Sequence, residues 1–156
     1  MMKLPDDMFR LELIPYLSVD DIVKLDNACL NHKYRPQLMG KIRGVILIGD
    51  KDRSVKASLF KWLGMRRIYL IKMLFVMSDF YLTPFGMENK YVDQFKYTQY
   101  LVMSGTIRDD MAVFIISHCP CLVSIDINSY SYGIELTDHT LKYCAMLCYR
   151  LQCVIC

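Results

Sequence analysis

Cysteine is the residue type in this chain with the most reactive potential. There are seven, and six of them lie between Cys119 and Cys156. The spacings Cys119-x-Cys121, Cys144-x3-Cys148 and Cys153-x2-Cys156 invite a zinc reading, since closely spaced thiolates can share a tetrahedral ion. No CxxC pair is answered by a second one at finger-like spacing, and an odd count does not close into disulfides, which rarely persist in the cytosol. Asp138-His139 beside these thiols suggests a Cys-His pair, in which a base raises the thiolate fraction. Adjacent helix residues face different directions, so that pair is not expected to act. His32, His118 and His139 are expected at the surface or in satisfied structural roles. With no phosphate-binding glycine loop, nucleophile elbow or metalloprotease helix, the expectation is a non-enzyme without catalytic residues, cofactor or metal.

A second chemical candidate is electrostatic. Between Asp50 and Lys72, seven bases face two acids beside Trp62 and Tyr69, a composition that could contact phosphate. The region carries no nucleic-acid motif, so solvated helix faces are the simpler reading and nucleic acid is not an expected partner. From Met1 to Asp26 the balance reverses, with six acids against three bases, and the net charge of +3 selects no partner class.

What must position these residues is a repeat. Cys119-Pro-Cys-Leu122 superimposes on Cys148-Tyr-Arg-Leu151 at an offset of 29 residues. The same offset pairs Ile107 with Leu136, Asp109 with Asp138, Ile115 with Cys144, Ile125 with Val154 and Ile127 with Cys156. Periods of about 20 to 50 residues mark arrays in which each unit buries its apolar face on its neighbours. The thiols then fall into apolar slots, where free cysteine behaves as a small hydrophobe. Strands are expected near Ile46-Leu47, Tyr69-Leu70 and Tyr97 to Val102, with helices from Val55 to Leu63 and from Asp109 to His118. Tyr81 to Lys90 is expected as a loop, whose Tyr81 and Phe85 could anchor a partner.

The first third is helical. Met8, Leu11, Ile14 and Leu17 recur every third residue, and Pro15 implies a kink or early stop. Ser18-Val-Asp-Asp21 is a helix start, with a cap oxygen followed by carboxylates that favour the helix dipole. A third helix is expected from Arg35-Pro36 to about Ile42, ended by Gly44.

Leu4-Pro5-Asp6-Asp7 and Tyr16-Leu-Ser-Val-Asp-Asp-Ile-Val-Lys-Leu25, with Cys29 four residues on, resemble an F-box, the motif by which substrate receptors dock onto a Skp-type adaptor in cullin-based ubiquitin ligases. The match covers about a quarter of the chain. It departs from the pattern in one extra residue between Pro5 and Tyr16, and in His32 where tryptophan is usual. The resemblance implies Leu4, Pro5, Leu17, Val19, Ile22 and Leu25 as adaptor contacts. The two echoing units resemble the cysteine-containing leucine-rich repeats often found after an F-box. There Leu122, Ile125 and Ile127 would point inward from a parallel strand, while Ser124 and Asp126 would face a target protein.

The expected architecture is therefore α/β: an F-box-like three-helix bundle over residues 1–44, then a leucine-rich-repeat solenoid over 45–156. The expected function is substrate recognition in a ubiquitin ligase, with a Skp-type adaptor and an unknown protein target as partners. The alternative is a repeat interaction module whose first helices only cap the array. The longest uncharged run, 111–125, is 15 residues, short of the ~20 a membrane span needs. No secretory signal is visible, and a cytoplasmic or nuclear setting without membrane contact is expected. At Cys156 the array would stop uncapped inside a strand, so either the chain is shortened or another chain covers that end.

Overall fold

Ser18 starts the first regular helix with a reciprocal cap. Its hydroxyl accepts from the Asp21 amide at 3.2 Å, and the Asp21 carboxylate accepts from the Ser18 amide at 3.0 Å. In this computed structural model, residues 8, 12–29, 34–49, 54–76, 89–105, 107–128 and 137–155 are described. Helix α1 runs over Val19–Ala28 and α2 over Arg35–Ile42, the latter with Pro36 in its first turn. Before them Ile14–Tyr16 forms a 3-10 turn with Pro15 in its opening positions, where proline is tolerated.

Strands and helices then alternate: β1 Ile46–Leu47, α3 Ala57–Arg66, β2 Tyr69–Leu70, β3 Lys72–Val76, a 3-10 helix Asn89–Phe95, β4 Tyr100–Ser104, α4 Asp109–Ser117, β5 Ser124–Asn128, α5 Asp138–Leu147 and β6 Cys153–Ile155. β1 and β2 pair in parallel, and β3-β4-β5-β6 form a parallel sheet in chain order. The fold is mixed α/β with a four-stranded all-parallel sheet. The pair expected from the offset of 29 is present, with Ile125 opposite Val154 and Ser124 opposite Cys153.

One hydrogen-bond device recurs at each step of this sheet. The Ile71 carbonyl accepts the amides of Gln99 and Tyr100, that of Gln99 accepts Val123 and Ser124, and that of Val123 accepts Gln152 and Cys153. Each strand therefore enters at the same level as its predecessor, which fixes the register.

Alternation along the strands builds the core. Met73, Leu101 and Ile125 form one inward row and Phe75, Met103 and Ile127 another, all buried in one cluster with Phe60, Leu63, Ile115 and Ile116 of the helices. The helices thus cover the inward side of the sheet. Full burial of each such side chain contributes roughly 1.5–3 kcal/mol. Cys119 and Cys148 occupy equivalent buried positions, with the Cys148 thiol 3.9 Å from the Cys119 carbonyl oxygen.

Several expectations move. α3 does not stop at Leu63 but passes through Gly64 to Arg66; a Cβ at Gly64 would stand 2.4 Å from Tyr91 Cδ1, so the absence of a side chain there gives room for that ring. β4 begins at Tyr100 rather than Tyr97, since Thr98 is buried and donates to the Leu70 carbonyl at 3.3 Å. Lys72–Val76, not expected as a separate strand, is a full partner of β4. Asn89 and Lys90 belong to the 3-10 helix rather than to a loop, while Tyr81 and Phe85 lie outside the described residues. Asp109 is the first residue of α4, as expected, and Asp138 the first of α5, whose cap is Thr137.

Candidate interaction surfaces

The outward side of the sheet has its own rows. Lys72, Tyr100, Ser124 and Cys153 stand in register, and beside them Leu74, Val102, Asp126 and Ile155. These positions are half-buried on β3 and β5, and more open at Tyr100, Cys153 and Ile155. Ser124 and Asp126 thus occupy the outward positions expected of them. Lys72 and Asp126 are the charged residues among these eight, and they are not paired: the Lys72 ammonium lies 5.3 Å from the centre of the Tyr100 ring. Asp126 Oδ1 is shut off from solvent and has no hydrogen-bond partner among the described residues.

The first helices present a second surface. Leu17 and Val19 are half-buried and line a groove of about 630 Å³ with Val45, Leu47, Val55 and Leu70. Ile22 is 1% exposed and belongs to the core, and Leu25 is half-buried. Ile22 and Asp26, one turn apart, share the buried face of α1. Leu4 and Pro5 lie outside the described residues. Apolar surface remains at Leu13 and at Tyr16, which is 86% exposed.

Sequence reasoning counted Asp26 only as one of the N-terminal acids. It is 0% exposed and forms the centre of an ion cluster. Its carboxylate accepts Arg35 Nε at 2.9 Å and Nη2 at 3.2 Å, Trp62 Nε1 at 3.2 Å, and Arg66 Nε at 2.9 Å together with Arg66 Nη2. Burial pushes its pKa up, but the hydrogen bonds from Arg35 and Arg66 and their charges outweigh that and hold it below its usual range. Arg66 also stacks on Trp62, its guanidinium carbon 4.4 Å from the ring centre. The basic stretch therefore spends Arg66 on an internal contact between α1 and α3.

A further contact joins successive units. Asp109, at the start of α4, accepts from the Thr137 amide at 2.9 Å and from the hydroxyls of Thr137 and Thr140 at the start of α5. The Thr137 hydroxyl and Thr140 hydroxyl, then the Thr137 amide, hold the Asp109 pKa down. Two histidines are tied locally: His118 Nδ1 lies 2.8 Å from the Phe114 carbonyl oxygen, and the His139 ring lies 4.8 Å from that of Tyr143, while His32 lies outside the described residues. Among the described residues, no three His, Cys, Asp or Glu side chains gather as metal ligands. Among the same residues no helix is long and apolar enough to cross a membrane. Compared with protein-family models, curated proteins and solved structures, the chain matches none.

Proposed function

We propose that the protein is a leucine-rich-repeat recognition protein that binds another protein across the outward side of its parallel sheet and performs no bond chemistry itself. The observation that carries this reading is the in-register succession β3-β4-β5-β6 in chain order, with helices on one side and side chains on the other left half-open. Parallel sheets are ordinarily covered on both faces, so the outward row Leu74-Val102-Asp126-Ile155, apolar on either side of its one carboxylate, is suited to contact. Binding would hold a target at high effective concentration for a partner's chemistry. A bulky maleimide attached at Val102→Cys, in a background whose Cys153 is replaced by serine, tests this against the same label at Lys142→Cys on the exposed side of α5. Labelling at 102 is expected to remove captured proteins, quantified by mass spectrometry, that labelling at 142 retains. Equal capture by both refutes the reading.

A more specific role is favoured by the apolar surface left at Leu13 and Tyr16 and by the groove that Leu17 and Val19 line. In that role the N-terminal helices, which resemble an F-box, dock a Skp-type adaptor and make the protein the substrate receptor of a cullin-type ubiquitin ligase. Leu17 and Val19 would then contact the adaptor, whereas Ile22 would support them from within. Calorimetric titration with a recombinant Skp-type adaptor tests it, repeated with Leu17→Asp. Binding by the parent and at least tenfold loss in the variant are expected. No binding by the parent leaves the helices as a cap on the array.

A further inference from the structure

Resting on the reading of the sheet's outward side as the binding face, we infer that its partner is a protein segment that lays apolar side chains along β3–β6 and places a lysine or arginine on Asp126. A buried carboxylate oxygen without a partner is a rarity that needs an explanation, because an unmet acceptor forfeits the hydration it had in the unfolded chain. Asp126 Oδ1 is such an oxygen. Its row mates across the strands are Val102 on one side and Ile155 on the other, neither of which can donate. The one cation among the outward positions named above, Lys72, is engaged over the Tyr100 ring two strands away. Among the described residues, the face therefore offers a carboxylate with an unmet oxygen inside an apolar strip.

The chemistry complementary to that arrangement is a cationic side chain with an apolar stem or apolar neighbours. A guanidinium or ammonium meeting a carboxylate in a partly dry setting forms a charge-assisted hydrogen bond, stronger than a neutral one. Oδ1 is shut off from solvent in the free chain, so the Asp126 side chain must turn about Cα–Cβ to bring that oxygen to the ligand. The flanking Leu74, Val102 and Ile155 would cover the stem, with Ser124 in the adjoining row beside backbone groups of the segment. An acidic segment would be rejected by the same carboxylate, which makes Asp126 a determinant of partner choice as well as of affinity.

Selection of a random dodecapeptide phage library on the purified full chain tests the inference. Peptides carrying Lys or Arg between apolar residues are expected to be enriched, to bind Asp126→Asn at least tenfold more weakly, and to give way to Asp- or Glu-bearing peptides when Asp126→Lys is the bait. A Val102→Arg bait separates the two levels. Peptides that ignore Val102→Arg bind elsewhere and overturn the assignment of the face. Peptides lost with Val102→Arg but bound equally by Asp126→Asn leave the face standing and overturn the cation. Failure to select any peptide overturns the inference as well. Each bait is used only when its circular dichroism and urea midpoint match those of the parent, and Asp126→Ser replaces any that does not.

Discussion

Replacing Asp26 by alanine takes away the acceptor on which Arg35, Trp62 and Arg66 converge. Because Arg66 is only 15% exposed at its side chain, its guanidinium would be left facing that of Arg35 with little water between them. Breaking a buried pair from one side costs about 3–5 kcal/mol, since the remaining charge stays desolvated. The Arg35 side chain is 38% exposed and can recover part of its hydration, which places the expected loss near the lower end, about 3 kcal/mol. That is more than a hundredfold in the folding equilibrium, at about 1.4 kcal/mol per factor of ten. Urea unfolding at pH 7 measures it, followed by far-ultraviolet circular dichroism. Trp62, the chain's one tryptophan, supplies a second probe from inside the cluster. Removing both sides with Asp26→Leu and Arg66→Met is expected to destabilise less than Asp26→Ala alone, since no buried charge is stranded. A loss below ~1 kcal/mol for Asp26→Ala would show that water reaches the cluster and that its reading as a dry junction between α1 and α3 is wrong. The pH dependence has a definite sign. The folded pKa of Asp26 lies below the ordinary 3.8, so its contribution is fully present above 3.8 and is lost as pH falls through the folded value. Asp26→Asn should flatten the stability profile in that acid window and nowhere above it.

Three further outcomes follow from the packing. Asp109→Ala removes the acceptor for Thr137 and Thr140, so amide exchange measured by mass spectrometry should quicken at least tenfold over 137–155 while residues 57–76 keep parental protection. Uniform quickening would mean that the two regions open together. Cys153 is exposed, whereas burial pushes the Cys119 thiol well above its ordinary range and the Cys148 thiol upward; among the described cysteines, alkylation of native protein should mark Cys153 first and leave these two unmodified until urea is added. Early labelling of Cys119 would contradict its position in the core. Gly64→Ala is normally favourable in a helix by roughly 1 kcal/mol, but here the added methyl meets Tyr91 at 2.4 Å; a net fall in the thermal midpoint is expected, and a rise would show that Tyr91 gives way easily.

Local signals were readable in the sequence to the extent that their partners were near or periodic. Ser18 and Asp21 cap a helix with residues three apart, and the offset of 29 between Ile125 and Val154 is itself the register of the two strands they occupy. In a stack of parallel strands the repeat length and the pairing partner are the same quantity, so an echo in the residues is enough to pair them. β3 escaped notice because its partner positions share no residue type: Lys72 stands opposite Tyr100 and Leu74 opposite Val102, and only burial, not identity, repeats. Asp26 was illegible for the opposite reason. Its partners Arg35, Trp62 and Arg66 lie nine to forty residues away with no period linking them, and beside Lys24 it looks like one more solvated acid on an amphipathic helix.

Asp26 and Asp126 separate what charge does in this chain. Each is a carboxylate set against apolar surroundings, but Asp26 is met by two guanidiniums and an indole from its own chain, while Asp126 keeps an oxygen that nothing in its own sheet satisfies. A carboxylate whose demands are met internally has a structural account complete in itself. One left unmet among the described residues on the open side of a parallel sheet does not, and a donor from another molecule, as inferred above, would complete it.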